Sequence, residues 1–126
     1  MGLDQWAFST PDTPDAEVGF LNKEGDNQEF HYWRKHPNLH GWMEQLYLER
    51  GGDAEEPFNG IPLRLTSEDL NALELDIKGL NLPHTTGFFF GSSNNDENEI
   101  KDDLLFIKES RAEIKSRKAV WYISSW

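Results

Sequence analysis

Near both ends of the chain apolar and polar positions alternate, and between them apolar residues recur at three and four, so strands are expected at the termini and helices in the middle. Over residues 2–8, Leu3, Gln5 and Ala7 fall on one side and Asp4, Trp6 and Phe8 on the other, as in a half-buried strand. Residues 29–35 read as a second strand, with Phe30, Tyr32 and Arg34 facing one way and His31, Trp33 and Lys35 the other. Residues 119–126 alternate again, Val120, Tyr122 and Ser124 against Trp121, Ile123 and Ser125. So aromatic a strand must be buried on at least one face, which places it inside the sheet or against its central strand. Pro11, Pro14, Gly19 and Gly25 predict a long loop over 9–28, interrupted by Val18, Phe20 and Leu21, which suit a short edge strand or an anchor to the core.

Three helices are expected between the strands. A proline disfavours helical geometry in the residue before it and suits the first helical position, so His36 is the predicted N-cap and Pro37 the first residue of the helix. Leu39, Trp42, Met43, Leu46 and Tyr47 give that helix one apolar face, and Gly51 and Gly52 stop it. Residues 61–65 suit a short strand or an approach to the next helix. There Thr66 is the expected N-cap, Asp69 completes a capping box with a shorter acid, Leu70, Leu73 and Ile77 form the buried side, and Gly79 ends the helix. Residues 80–86, with Pro83, are expected to be extended, and GFFFG at 87–91 to be a buried strand or a tight loop under the core. In the third helix Ile100, Leu104, Ile107 and Ile114 form the buried stripe. Asp96, Glu97 and Glu99 near its start and Lys115, Arg117 and Lys118 near its end complement the helix dipole. The whole predicts one α+β domain over 1–126, a small and mainly antiparallel sheet packed on one side by about three helices.

Composition narrows the chemistry. The chain has 126 residues and no cysteine, which excludes a disulfide framework, a thiolate metal site and a cysteine nucleophile. No apolar run approaches the roughly 20 residues of a membrane span, and the N-terminus has no signal-peptide pattern, so a soluble intracellular protein is expected. With 12 Lys and Arg against 23 Asp and Glu the net charge is −11, which repels phosphate backbones and anionic membranes; neither direct nucleic-acid binding nor a membrane partner is expected. The same acidity suits either solvation or mimicry of DNA on an elongated acidic face.

The stretch FHYWRKHPNLHGWMEQLY, residues 30–47, concentrates aromatics, cations and histidines at a strand-to-helix junction. Pro37, Asn38, Leu39 and His40 carry no acid, although free N–H groups and a partial positive charge usually draw one to a first turn, and Arg34, Lys35 and His36 precede them. The arrangement suits a bound phosphate or carboxylate. Asp4, Arg34, Lys35, His40 and Ser125 are the candidate ligand-binding residues, with His40 as the acid–base group; pairing of Arg34 and Lys35 with carboxylates such as Asp4 is the structural alternative. Trp33, Trp42 and Trp126 are the candidate contact surface for a partner. His36 and His40 have the four-residue spacing of a helical metal pair, but Pro37 stands where a metalloprotease helix has glutamate, so no metal and no cofactor is expected. Gly41, inside a helix, predicts a close approach to its backbone, by one of Phe88 to Phe90 or by a ligand. Ser124, Ser125, Thr85 and Thr86 show no nucleophile motif, and GFFFGSS is not a phosphate-binding loop.

Four blocks in order, MGLDQWAF at the start, YWRKHPNLHGWM at 32–43, TGFFFGSS at 86–93 and YISSW at the end, resemble a cyanophage-type family of small bacteriophage proteins without an assigned activity, found also in some bacteria. The resemblance spans nearly the whole chain and implies a phage-borne accessory protein working in the host cytoplasm. Where that family's pattern has alanine or asparagine after the lysine, this chain has His36 and Pro37, which speaks against a catalytic His36. Three functions remain: a non-enzymatic module binding a host protein, a protein that binds or processes a small anionic ligand at the junction, and an acidic DNA mimic.

Overall fold

A computed structural model of the chain describes residues 2–10, 28–55, 57–85 and 97–126. Among the described residues four strands, β1 (Asp4–Thr10), β2 (Gln28–Arg34), β3 (Leu63–Leu65) and β4 (Ala119–Ser125), form an antiparallel sheet in the order β2-β1-β4-β3, and three helices, α1 (Pro37–Glu49), α2 (Ser67–Lys78) and α3 (Glu97–Lys115), accompany it. This is the small α+β fold that the patterning predicts. Ser9, Thr10 and Gln28 belong to strands rather than to a loop over 9–28; residues 11–27 of that loop, and the GFFFG segment, lie outside the described residues. Among the described residues no helix is long and apolar enough to cross a membrane.

One face of the sheet carries Ala7, Trp33, Leu63, Leu65, Val120 and Tyr122, and onto it pack Leu39, Met43 and Tyr47 of α1, Leu70, Leu73 and Ile77 of α2, and Phe106 and Ile107 of α3. The residues are buried because alternation along each strand and the three-and-four recurrence along each helix turn them to the same interior. The terminal strand β4 lies between β1 and β3, with Val120, Trp121 and Tyr122 all buried, so both of its faces are covered. Phe8 stacks on Trp121 on the opposite face.

Two departures from simple alternation position the site. Ala7 pairs with His31 and Phe8 with Glu29, so Phe30 is an extra residue in β2, a β-bulge. The bulge moves Phe30 from the face expected by strict alternation to the helix side, where both Phe30 and His31 meet Phe106 at ring separations of 6.3 and 5.7 Å. In α3 the buried face centres on Asp103, Phe106, Ile107 and Ser110, while Ile100, Leu104 and Ile114 are only partly buried. The stripe expected from the aliphatic residues is therefore rotated, because polar Asp103 and Ser110 occupy helical positions that face inward.

The helix ends follow their signals. Pro37 opens α1 after His36, which makes no side-chain cap bond. Gly51 adopts φ +92° after the helix and Gly52 N–H donates to Tyr47 O at 2.9 Å, closing its C-terminus. Thr66 and Asp69 form the reciprocal capping box of α2. Gly41 lies against the side chain of Thr85, which occupies the space a Cβ would take, while Phe88 to Phe90 lie outside the described residues.

Candidate functional site

The junction between β2 and α1 is where the chain concentrates its buried polar groups. Gln5 projects from β1 onto the helix side and grips the backbone of His36 twice, accepting from His36 N–H at 2.8 Å and donating from Nε2 to His36 O at 3.1 Å. That pair of bonds fixes the Gln5 amide orientation and substitutes for a strand partner just where β2 ends. Nε2 also donates to the Tyr122 hydroxyl at 3.0 Å, and the hydroxyl lies 2.8 Å from His40 Nδ1. The phenol oxygen receives from Gln5, and the direction of its bond with His40 Nδ1 follows the imidazole tautomer.

Burial sets the electrostatics of this pair. His40 is 1% exposed, and loss of hydration lowers its pKa to about 4. Burial likewise pushes the Tyr122 phenol far above its usual range, against the opposing hydrogen bond from Gln5. Phe58 stacks on His40 with ring centres 5.2 Å apart, and Trp126 meets the same imidazole edge-on. Both groups are thus held neutral at physiological pH.

A second set of contacts ties α3 to β2. His36 Nε2 lies 2.8 Å from Asp103 Oδ2 and 3.7 Å from Glu99 Oε1, and the Trp33 indole donates to Asp103 Oδ1 at 3.1 Å. His31 presents Nδ1 to Glu109 at 2.7 Å and Nε2 to Asp102 at 3.1 Å. Four acids of α3 therefore meet two histidines of the β2 region. Nothing in the spacing of the histidines alone indicates this, but Asp103, Phe106, Ile107 and Ser110 do follow the three-and-four rule, and an acid on such a face signals a buried partner.

The sequence-predicted residues separate into two groups. Asp4, Arg34 and Ser125 share one row across the outer face of the sheet, since Asp4 pairs with both of the others in register. There Asp4 accepts from Arg34 at 3.1 Å and from the Tyr32 hydroxyl at 2.6 Å. The hydrogen bond to Asp4 raises the Tyr32 pKa. His40 lies on the other face of the sheet, inside the core, so the five candidate ligand residues do not converge on one opening. The first turn of α1 is also interior: Pro37, Asn38, Leu39 and His40 are all buried, and Asn38 Oδ1 accepts from Thr85 N–H at 3.0 Å.

Of the three candidate contact tryptophans, Trp33 is core, 5% exposed. Trp42 is half-buried and donates to Asp76 at 2.8 Å in a groove between α1 and α2. Trp126 is half-buried, its indole donating to Phe58 O at 3.2 Å while its amide and carbonyl exchange hydrogen bonds with Asn59. Among the described residues the exposed aromatic outside the predicted contact set is Tyr32, 50% exposed beside half-buried Trp6, with ring centres 5.8 Å apart. The sequence does carry its signal, because Tyr32 and Arg34 alternate outward from an edge strand.

Chemically, the junction contains the parts of acid–base machinery, a His–Asp pair and a Tyr–His pair, but in buried positions with their hydrogen bonds directed at one another. It defines a small α+β protein whose polar core ties sheet to helices. Comparison with protein-family models, with curated proteins and with solved structures finds no match.

Proposed function

We propose that the protein is a non-enzymatic, phage-borne accessory module that binds a host protein in the host cytoplasm, through the outer face of β1 and β2. The observation that carries the reading is the division between the two faces. The junction groups suited to proton transfer, His36, His40, Asp103 and Tyr122, are buried, whereas Tyr32, Arg34 and Trp6 form a partly exposed cluster on the outer face. Trp, Tyr and Arg are the residue types that dominate binding energy at protein interfaces. The resemblance of its sequence blocks to a bacteriophage family supports the setting.

Arg34 held by Asp4, which also accepts from the Tyr32 hydroxyl, is a pre-ordered donor, which lowers the entropy lost when a partner carboxylate or carbonyl engages it. Trp6 and Tyr32 supply the apolar area around it. A face of this kind suits a partner presenting an apolar side chain next to an acceptor. The DNA-mimic alternative draws less support, since Asp4, Asp69, Glu74 and Glu113 each already face a lysine or arginine. The test is affinity capture of host proteins by the wild-type chain, by Tyr32→Ala/Arg34→Ala and by Trp42→Ala. One stoichiometric partner kept by Trp42→Ala and lost by the outer-face variant supports the reading; equal capture by all three refutes it.

A further inference from the structure

The end of β2 and the start of α3 border an open cleft of about 370 Å³, lined by Tyr32, Trp33, Arg34, Lys35 and His36 on the strand side and by Asn98, Glu99 and Asp102 on the helix side. Ligand pockets begin at roughly 300 Å³. Its charges are segregated: the two cations stand on one wall and the two carboxylates on the other. Most of these charges already have a partner, Arg34 with Asp4, Asp102 with His31, and Glu99 near His36. Lys35 differs. Its amide donates to Leu3 O at 2.8 Å, but its ammonium makes no ion pair or hydrogen bond among the described residues, in a chain with 23 acids. Lys35 also adopts φ +63°, a left-handed conformation that costs a non-glycine residue about 1 kcal/mol and tends to accompany functional positions.

We propose that this cleft binds a small zwitterion of amino-acid or dipeptide size, its carboxylate on the Lys35 and Arg34 wall and its ammonium on the Glu99 and Asp102 wall. The formal charges of the lining residues cancel, two positive and two negative, so the local field is dipolar. A net anion meets Glu99 and Asp102 as well as the −11 charge of the chain, and a net cation meets Lys35 and Arg34. A zwitterion satisfies both walls and carries no net charge into the field of the protein. The cleft shares Tyr32 and Arg34 with the outer-face surface but not Lys35, Glu99 or Asp102, so substitutions at Lys35 and Glu99 test it apart from the partner.

The test is an amide NMR titration of the ¹⁵N-labelled full chain with glycylglycine and the free amino acids with uncharged side chains. Acetate, inorganic phosphate and methylammonium serve as single-charge arms. Saturable shifts at residues 32–36 and 98–102 are expected for at least one zwitterion, roughly tenfold tighter than for any single-charge ion. Lys35→Met, an exposed change, is expected to weaken that binding roughly tenfold with the spectrum otherwise native. Glu99→Gln is a second probe of the opposite wall. No saturable zwitterion binding, equal binding of acetate or phosphate, or shifts confined to other residues overturns the proposal.

Discussion

Replacing His40 by glutamine should flatten the acid limb of the stability curve. In the folded chain burial holds the His40 pKa at about 4, against 6.5 for a hydrated histidine. Between those values the unfolded chain binds a proton that the folded chain refuses, so unfolding takes up a proton and stability rises with pH. The contribution is complete above the unfolded value and is lost as pH falls from about 6.5 to about 4. Each tenfold change in proton affinity is worth about 1.36 kcal/mol, so the full swing is about 3 kcal/mol, a large share of the 5–15 kcal/mol typical of a domain. Protonation puts a hydrogen on both ring nitrogens, so His40 Nδ1 can then only donate to the Tyr122 hydroxyl in a dry site. The assay is urea unfolding of both proteins from pH 4 to 7.5. Their stability difference should narrow by about 3 kcal/mol toward the acid end, since glutamine has nothing to protonate. An unchanged difference, or a His40 NMR titration midpoint of 6 or above, would refute the burial argument.

Two further substitutions test the packing of the same region. Gly41→Ala gains about 1 kcal/mol of helix propensity but drives a methyl group into Thr85, and overpacking of this kind costs about 1–3 kcal/mol; net destabilisation is expected in urea, turning neutral or stabilising in a Thr85→Gly background. Asp103→Ala strands the His36 and Trp33 donors in the core and should cost about 3 kcal/mol, whereas Glu74→Ala, which removes a surface pair with Arg111 that holds the Glu74 carboxyl below its usual range, should cost under about 1 kcal/mol; equal losses in chemical unfolding would contradict the ranking.

What is legible in the chain is local. Pro37 and Thr66 with Asp69 place helix starts because the geometry of proline and the hydrogen bonds of a capping box act within four residues. The burial of Val120 and Tyr122 follows from an aromatic strand that cannot face water. The β2 bulge is not legible, because the extra residue is defined by the partner strand β1, far away in sequence. The aliphatic stripe alone does not give the inward turn of α3: Asp103 and Ser110 share the three-and-four spacing of Phe106 and Ile107, but the partners of Asp102, Asp103 and Glu109 emerge only when His31 and His36 are placed opposite them. For the candidate site, the sequence leaves Arg34 open to a ligand or to Asp4, and the register of β1 with β2 produces the pairing with Asp4. The separation of His40 from Arg34 follows from their lying on opposite faces of the sheet, which depends on where the helices pack.

Whether the outer face of β1 and β2 is a binding surface, with the junction histidines structural, is tested most directly by calorimetric titration of the captured partner with wild type and with Tyr32→Ala/Arg34→Ala. Interface anchors of these types contribute about 2 kcal/mol or more each, so the double variant should weaken the complex by roughly a thousandfold while its unfolding midpoint stays within error of wild type. An unchanged affinity in the double variant would contradict a binding role for this face.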